Sequence, residues 1–141
     1  MRFVTAAAAA LLIAPLAFAG AAAAVPCAKD ELGANAVRVD NPVLKFAYRT
    51  DPATIAVGKP FSVEVIACGA NGEAPDAIAM DAGMPHHGHG MNYKPSMRKL
   101  GPGHAAFDGL VFHMPGRWMM QFDVTVGGSK TRVTQPVTLR R

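Results

Sequence analysis

The sequence predicts an all-β sandwich. Several short runs alternate apolar and polar residues with a period of two, as half-buried strands do. Turn signals at Gly58-Lys59-Pro60, Gly69 to Gly72, Pro115-Gly116 and Gly127-Gly128 separate these runs at short intervals. Beyond the N-terminal stretch, no segment carries the 3.6-residue periodicity of an amphipathic helix.

The first residues stand apart from that pattern. Arg2 precedes an apolar run from Ala6 to Phe18, and Ala17-Phe18-Ala19 supplies small residues around a cleavage point. This is the three-part pattern of a secretory signal peptide over residues 1–19, with Ala24 as a second possible cleavage point. The run is short for a membrane span and lacks a stop-transfer flank, so an uncleaved anchor is the weaker reading. A lipoprotein signal is disfavoured because Pro26, not a small residue, precedes Cys27. Export to the periplasm is therefore expected, leaving a mature chain of about 120 residues, the size of one domain, with no stable membrane span.

Residues 20–42 read as an irregular, Ala-rich lead-in, and residues 43–141 as the sandwich. Leu44 to Thr50 is the first strand, and Pro52 breaks it. Thr54 to Pro60 gives a short piece ending in a turn. Phe61 to Cys68 alternates cleanly, with Phe61, Val63, Val65 and Ala67 on one face. Ala77 to Ala82 is a short strand. His104 to Met114 is a strand interrupted at Asp108-Gly109. Arg117 to Val126 alternates strictly, with Trp118, Met120, Phe122, Val124 and Val126 facing the core. Thr131 to Arg140 closes the chain, and Pro136 marks it as an edge strand. About seven strands in a chain of this size make an immunoglobulin-like β-sandwich.

With 14 basic and 10 acidic residues the formal charge is +4, falling to +3 when Arg2 leaves with the signal peptide. The basic residues are scattered without a stripe or interleaved aromatics, so nucleic acid is not an expected partner. Two cysteines, Cys27 and Cys68, follow the cleavage point, and in an oxidising compartment an even pair reads as a disulfide. The chain-entropy model values a bridge over such a loop at about 4 kcal/mol. The alternative, two thiolates on a metal, is disfavoured by their wide separation and by the lack of a nearby histidine.

Chemistry concentrates elsewhere. All five histidines lie between His86 and His113, and seven of the eight methionines lie between Met80 and Met120. The densest stretch is MPHHGHGMNYKPSM, Met84 to Met97. Imidazole suits copper, zinc and nickel, whereas thioether is soft and selects Cu(I). Imidazole with thioether, and no thiolate or converging carboxylates, therefore points to copper. His87, His89 and Met91 share one phase of an extended backbone, and Gly88 and Gly90 allow close wrapping. His113 is the best ligand from elsewhere in the chain, and alternation turns it away from the face that holds Phe112. Met84 offers a further soft ligand and His86 an accessory one. Met80 and Met120 read as core, Met114 as a weaker ligand candidate, and His104 as a solvated loop histidine.

Met84-Pro85, His87-Gly88-His89-Gly90-Met91 and Met114-Pro115-Gly116-Arg117-Trp118 together resemble the YtkA-like domain family, related to the periplasmic part of FixH proteins. The resemblance runs from about Leu44 to Leu139. It implies a small exported immunoglobulin-like sandwich associated with copper handling or with assembly of copper-containing respiratory oxidases. A blue-copper site needs a cysteine ligand beside histidines, and neither cysteine is placed for one. No nucleophile elbow or paired acids with a poised partner occur, so no enzyme is expected.

The sequence thus predicts a periplasmic copper-binding protein that carries or buffers copper, exchanging it with a periplasmic or membrane protein that donates or receives the ion. The alternative is a metal-free interaction module, whose His/Met loop and Tyr93 contact a membrane-protein partner.

Overall fold

The computed structural model describes Cys27 and residues 32–140, and the proposed signal peptide lies outside the described residues. Among the described residues nine strands run in chain order: β1 (Val37–Val39), β2 (Leu44–Asp51), β3 (Pro60–Gly69), β4 (Ala77–Met84), β5 (His89–Gly90), β6 (Ser96–Gly101), β7 (His104–Val111), β8 (Gly116–Val126) and β9 (Ser129–Leu139). They form two antiparallel sheets, ordered β1-β2-β3-β7-β6 and β5-β4-β8-β9. The immunoglobulin-like sandwich is as expected, with no helix among the described residues.

The alternating strands build the core as their periodicity requires. Trp118, Met120, Phe122 and Val124 are fully buried, and they face Phe46, Tyr48, Val63, Val65 and Phe107 of the opposite sheet. Phe46 and Tyr48 meet Phe122 across the interior at ring separations of 5.0 and 5.5 Å. Pro136 lies on β9, an edge strand, as its sequence position suggests. Asp108 and Gly109 do not break β7. They form a bulge, seen as a register shift against Phe61 and Val63.

Several expectations need correction. The lead-in assigned to residues 20–42 already contains β1 and the buried Leu32, so the ordered body starts before residue 43. β1 is too short to display alternation. Thr54 to Lys59 is turn and bend rather than strand. Ala77 to Ala82 extends to Met84, which takes Met84 into the core. β5 and β6 went unseen because edge strands with exposed residues lack an apolar period: all six β6 positions are exposed or half-exposed.

Candidate metal centre

β4 and β5 form a hairpin in which Met84 pairs with His89 and Gly83 with Gly90. The loop between them is Pro85, His86, His87 and Gly88. The His87 N–H donates to the Met84 carbonyl at 3.1 Å, and Gly88 takes the left-handed conformation (φ +64°) that reverses the chain. The Met91 N–H donates to the Ala82 carbonyl at 3.2 Å, so pairing continues past β5. Residues directly opposite one another share a sheet face. Met84 with His89, and Ala82 with Met91, therefore face the core side. Their burial grades outward: Met84 is 2% exposed, Met91 is half-buried against the core, and His89 projects past the rim.

His86, His87 and His89 are all exposed. The His87 and His89 rings lie 6.3 Å apart and 24° from parallel. Two nitrogens on one ion stand at most ~4 Å apart, given bonds of ~2 Å. A ring centre lies behind its nitrogens, so rings at this spacing can serve one ion through nitrogens closer together.

β8 brings a second group of residues to the same end. Gly83 pairs with Met119, so the continuing register sets Met84 opposite the fully buried Trp118. The Met84 methyl lies where a side chain at residue 116 would stand: a Cβ on Gly116 would come within 2.7 Å of it. The Trp118 Nε1–H donates to the Met114 carbonyl at 3.0 Å, which curls residues 114–118. Phe112 stacks on the indole at 4.5 Å and 10°. His113 meets the same indole edge-on, at 5.4 Å and 79°. The alternation that would turn His113 away from Phe112 stops where β7 ends at Val111, and both rings instead contact Trp118. Met114 is half-buried against the core.

His113 carries a distinctive atom. Its Nδ1 is buried and has no hydrogen-bond partner. Leaving a buried donor or acceptor unpaired costs about 1–3 kcal/mol. His113 is legible in the sequence as a candidate ligand, but the unpaired state of its nitrogen depends on tertiary surroundings that no local pattern reports.

Among the described residues, no three His, Cys, Asp or Glu side chains converge as a metal site. Asp81, the nearest acid, is engaged: its Oδ1 accepts the Ala82 N–H at 2.9 Å and its other oxygen pairs with Lys94. The donors gathered at this end are therefore imidazoles from the loop, the His113 nitrogen and the thioethers of Met84 and Met91. That set fits a soft ion such as Cu(I) and suits calcium or magnesium poorly.

The remaining residues lie apart. Met97 is exposed on β6. His104, expected in a solvated loop, opens β7 and bonds Glu64 at 2.7 Å. Burial raises the Glu64 pKa, but hydrogen bonds from Arg49 and His104 outweigh it and hold the carboxyl below its usual range. Cys27 and Cys68 form the expected disulfide, which leaves no thiolate for a metal.

No family model matches the chain, and no curated protein matches its sequence. Among solved structures, it is similar to the Lin-41 filamin domain, at 17% identity and a TM-score of 0.46, over 82% of this chain and 97% of that one. A DUF4426 family protein of Pseudomonas aeruginosa PAO1 matches at 8% identity and 0.48, over 76% of this chain and 98% of that one. A DUF4785 family protein of Legionella pneumophila matches at 14% identity and 0.49, over 68% of this chain and 28% of that one. Likenesses at these values say nothing of chemistry.

Proposed function

We propose that this chain is an exported, periplasmic copper-binding protein of the YtkA-like kind, a carrier or buffer rather than an enzyme. The observation that supports the reading is that two donor-bearing segments lie at one end of the sandwich, although among the described residues no three imidazoles converge there. His87, His89 and Met91 come from the β4–β5 hairpin, and the unpaired His113 nitrogen comes from the segment before β8. His87 and His89 are open to a second protein, so copper can leave by ligand exchange. A carrier needs that access, whereas an electron-transfer site needs fixed geometry. Met84 adds a soft donor from within, and His86 a spare imidazole at the loop tip. The partner is a periplasmic or membrane protein that donates or receives copper, and oxidase assembly is one setting for it.

The test is a competition titration with Cu(I) and Cu(II) against calibrated chelators, on wild type and on His87→Ala/His89→Ala/Met91→Ala. One ion per chain, with Cu(II) lost and Cu(I) weakened in the variant, is the expected result. Weak or multiple binding that the variant leaves unchanged would remove the carrier reading.

One observation favours a second reading, the metal-free interaction module. Tyr93, Met97 and Leu100 are 66%, 53% and 45% exposed within one short stretch after the hairpin. An apolar run of this kind can seat a partner. Stoichiometric copper binding by the purified chain would count against it as the sole role.

A further inference from the structure

We propose that His113 binds copper through Nδ1, together with the Met84 sulfur, in a Cu(I)-selective subsite beneath the exposed imidazoles. The proposal rests on the copper reading above and assigns that end two tiers of donor.

A neutral imidazole carries one N–H and one lone pair. An N–H at Nδ1 would need an acceptor, and the structure offers none. In the proposed subsite Nδ1 carries the lone pair and Nε2 the proton. A lone pair that is dry and unshared has no hydrogen bond to give up when an ion arrives. His104 is the contrast, since its Nε2 is already committed to Glu64.

Met84 is the matching soft donor. Its thioether is buried and has no other polar role, while its register position places it beside Trp118 on the core-facing side. His113 touches the same indole. Trp118 is thus the common neighbour of both donors. The surrounding wall of Trp118, Phe112 and the Gly116 backbone is uncharged. Moving a divalent ion into such surroundings costs more desolvation than moving a monovalent one. Cu(II) also prefers tetragonal nitrogen and oxygen donors, while thioether selects Cu(I). An aromatic face beside a desolvated cation adds attraction. The exposed His86, His87 and His89 have none of these biases and serve either oxidation state at the surface.

The experiment uses the purified chain labelled with ¹⁵N histidine and Ag(I) as a redox-inert stand-in for Cu(I), read by silver–nitrogen coupling. The chain has one tryptophan, so its fluorescence reports Trp118 alone. At one equivalent of Ag(I), coupling at His113 Nδ1 is expected, with a fluorescence change at the same stoichiometry. Met84→Leu keeps size and apolarity, and it should weaken Cu(I) binding by about tenfold or more while leaving Cu(II) within about twofold.

Coupling at His113 Nε2, or at His87 and His89 but not His113, would overturn the subsite and leave the loop carrier standing. No coupling at any histidine, with no Cu(I) binding, would overturn both. Should Met84→Leu lose its fold, the wild-type coupling decides alone.

Discussion

At one end of the sandwich, Cys27 is bonded to Cys68 and its N–H donates to the Gly72 carbonyl at 3.0 Å. Gly103 fits beneath so closely that a Cβ there would strike the Cys27 sulfur and come within 2.5 Å of the Ala67 carbonyl oxygen. Leu32, Ala47, Ile66 and Cys68 make a small buried cluster on the outer side of the larger sheet. At the opposite end, the closing hairpin loop is exposed, two imidazoles stand 6.3 Å apart, and a buried nitrogen lacks a partner. The disulfide and the uncommitted His/Met donors thus sit at opposite ends of the strands. The disulfide end is satisfied by its own chain. The His/Met end keeps donors that its own chain does not use.

Substitutions can break this comparison, beginning with the most severe. Trp118→Ala removes a fully buried side chain and should cost about 3–5 kcal/mol in urea denaturation. It should also free His113 from its indole contact. Next is Cys27→Ser/Cys68→Ser, expected to cost about 2–4 kcal/mol because the unfolded chain regains the entropy of a long loop. Copper affinity of the folded double variant should remain within about twofold of wild type, since the bridge lies at the far end. A large loss of affinity would show that the two ends are coupled.

Met84→Leu, a volume-conserving change, should cost under about 1.5 kcal/mol while still weakening Cu(I) binding. His87→Ala/His89→Ala should be the mildest for stability, within about 0.5 kcal/mol, because both side chains are exposed. It should be among the most damaging for copper.

Acid separates the ends differently. The Glu64 pKa is held below its unfolded value, so its contribution to stability is present above the unfolded pKa and lost as pH falls through the lower, folded one. Urea midpoints should therefore drop in the acidic carboxylate range, and Glu64→Gln should flatten that drop. Copper binding should weaken as pH falls through the histidine range, which lies above the carboxylate range, because protons compete for imidazole. Unchanged Cu(II) affinity between about pH 7.5 and about pH 5, which brackets the ~6.5 reference value, would contradict imidazole ligation.

Legibility in the sequence followed locality. Phe61 to Cys68 and Arg117 to Val126 were readable because each displays its own period, and the core they predict is the core observed. The disulfide followed from an even pair of cysteines and an expected export signal. The His/Met cluster was readable as composition. Its arrangement was not, because the Met84–His89 pairing depends on a two-residue strand with no period of its own. His113 was misdirected by extending strand alternation past Val111, where the Trp118 bond to Met114 takes over. The His104–Glu64 contact joins residues forty positions apart, which no local pattern reports.

The central claim, ligand chemistry confined to one end, is tested most directly by amide hydrogen exchange of the purified chain with and without one equivalent of Cu(I). Added protection is expected in residues 84–91 and 112–118 and none around Cys27, Cys68 and Gly103. Protection centred on the disulfide end, or no change anywhere at saturating Cu(I), would contradict it.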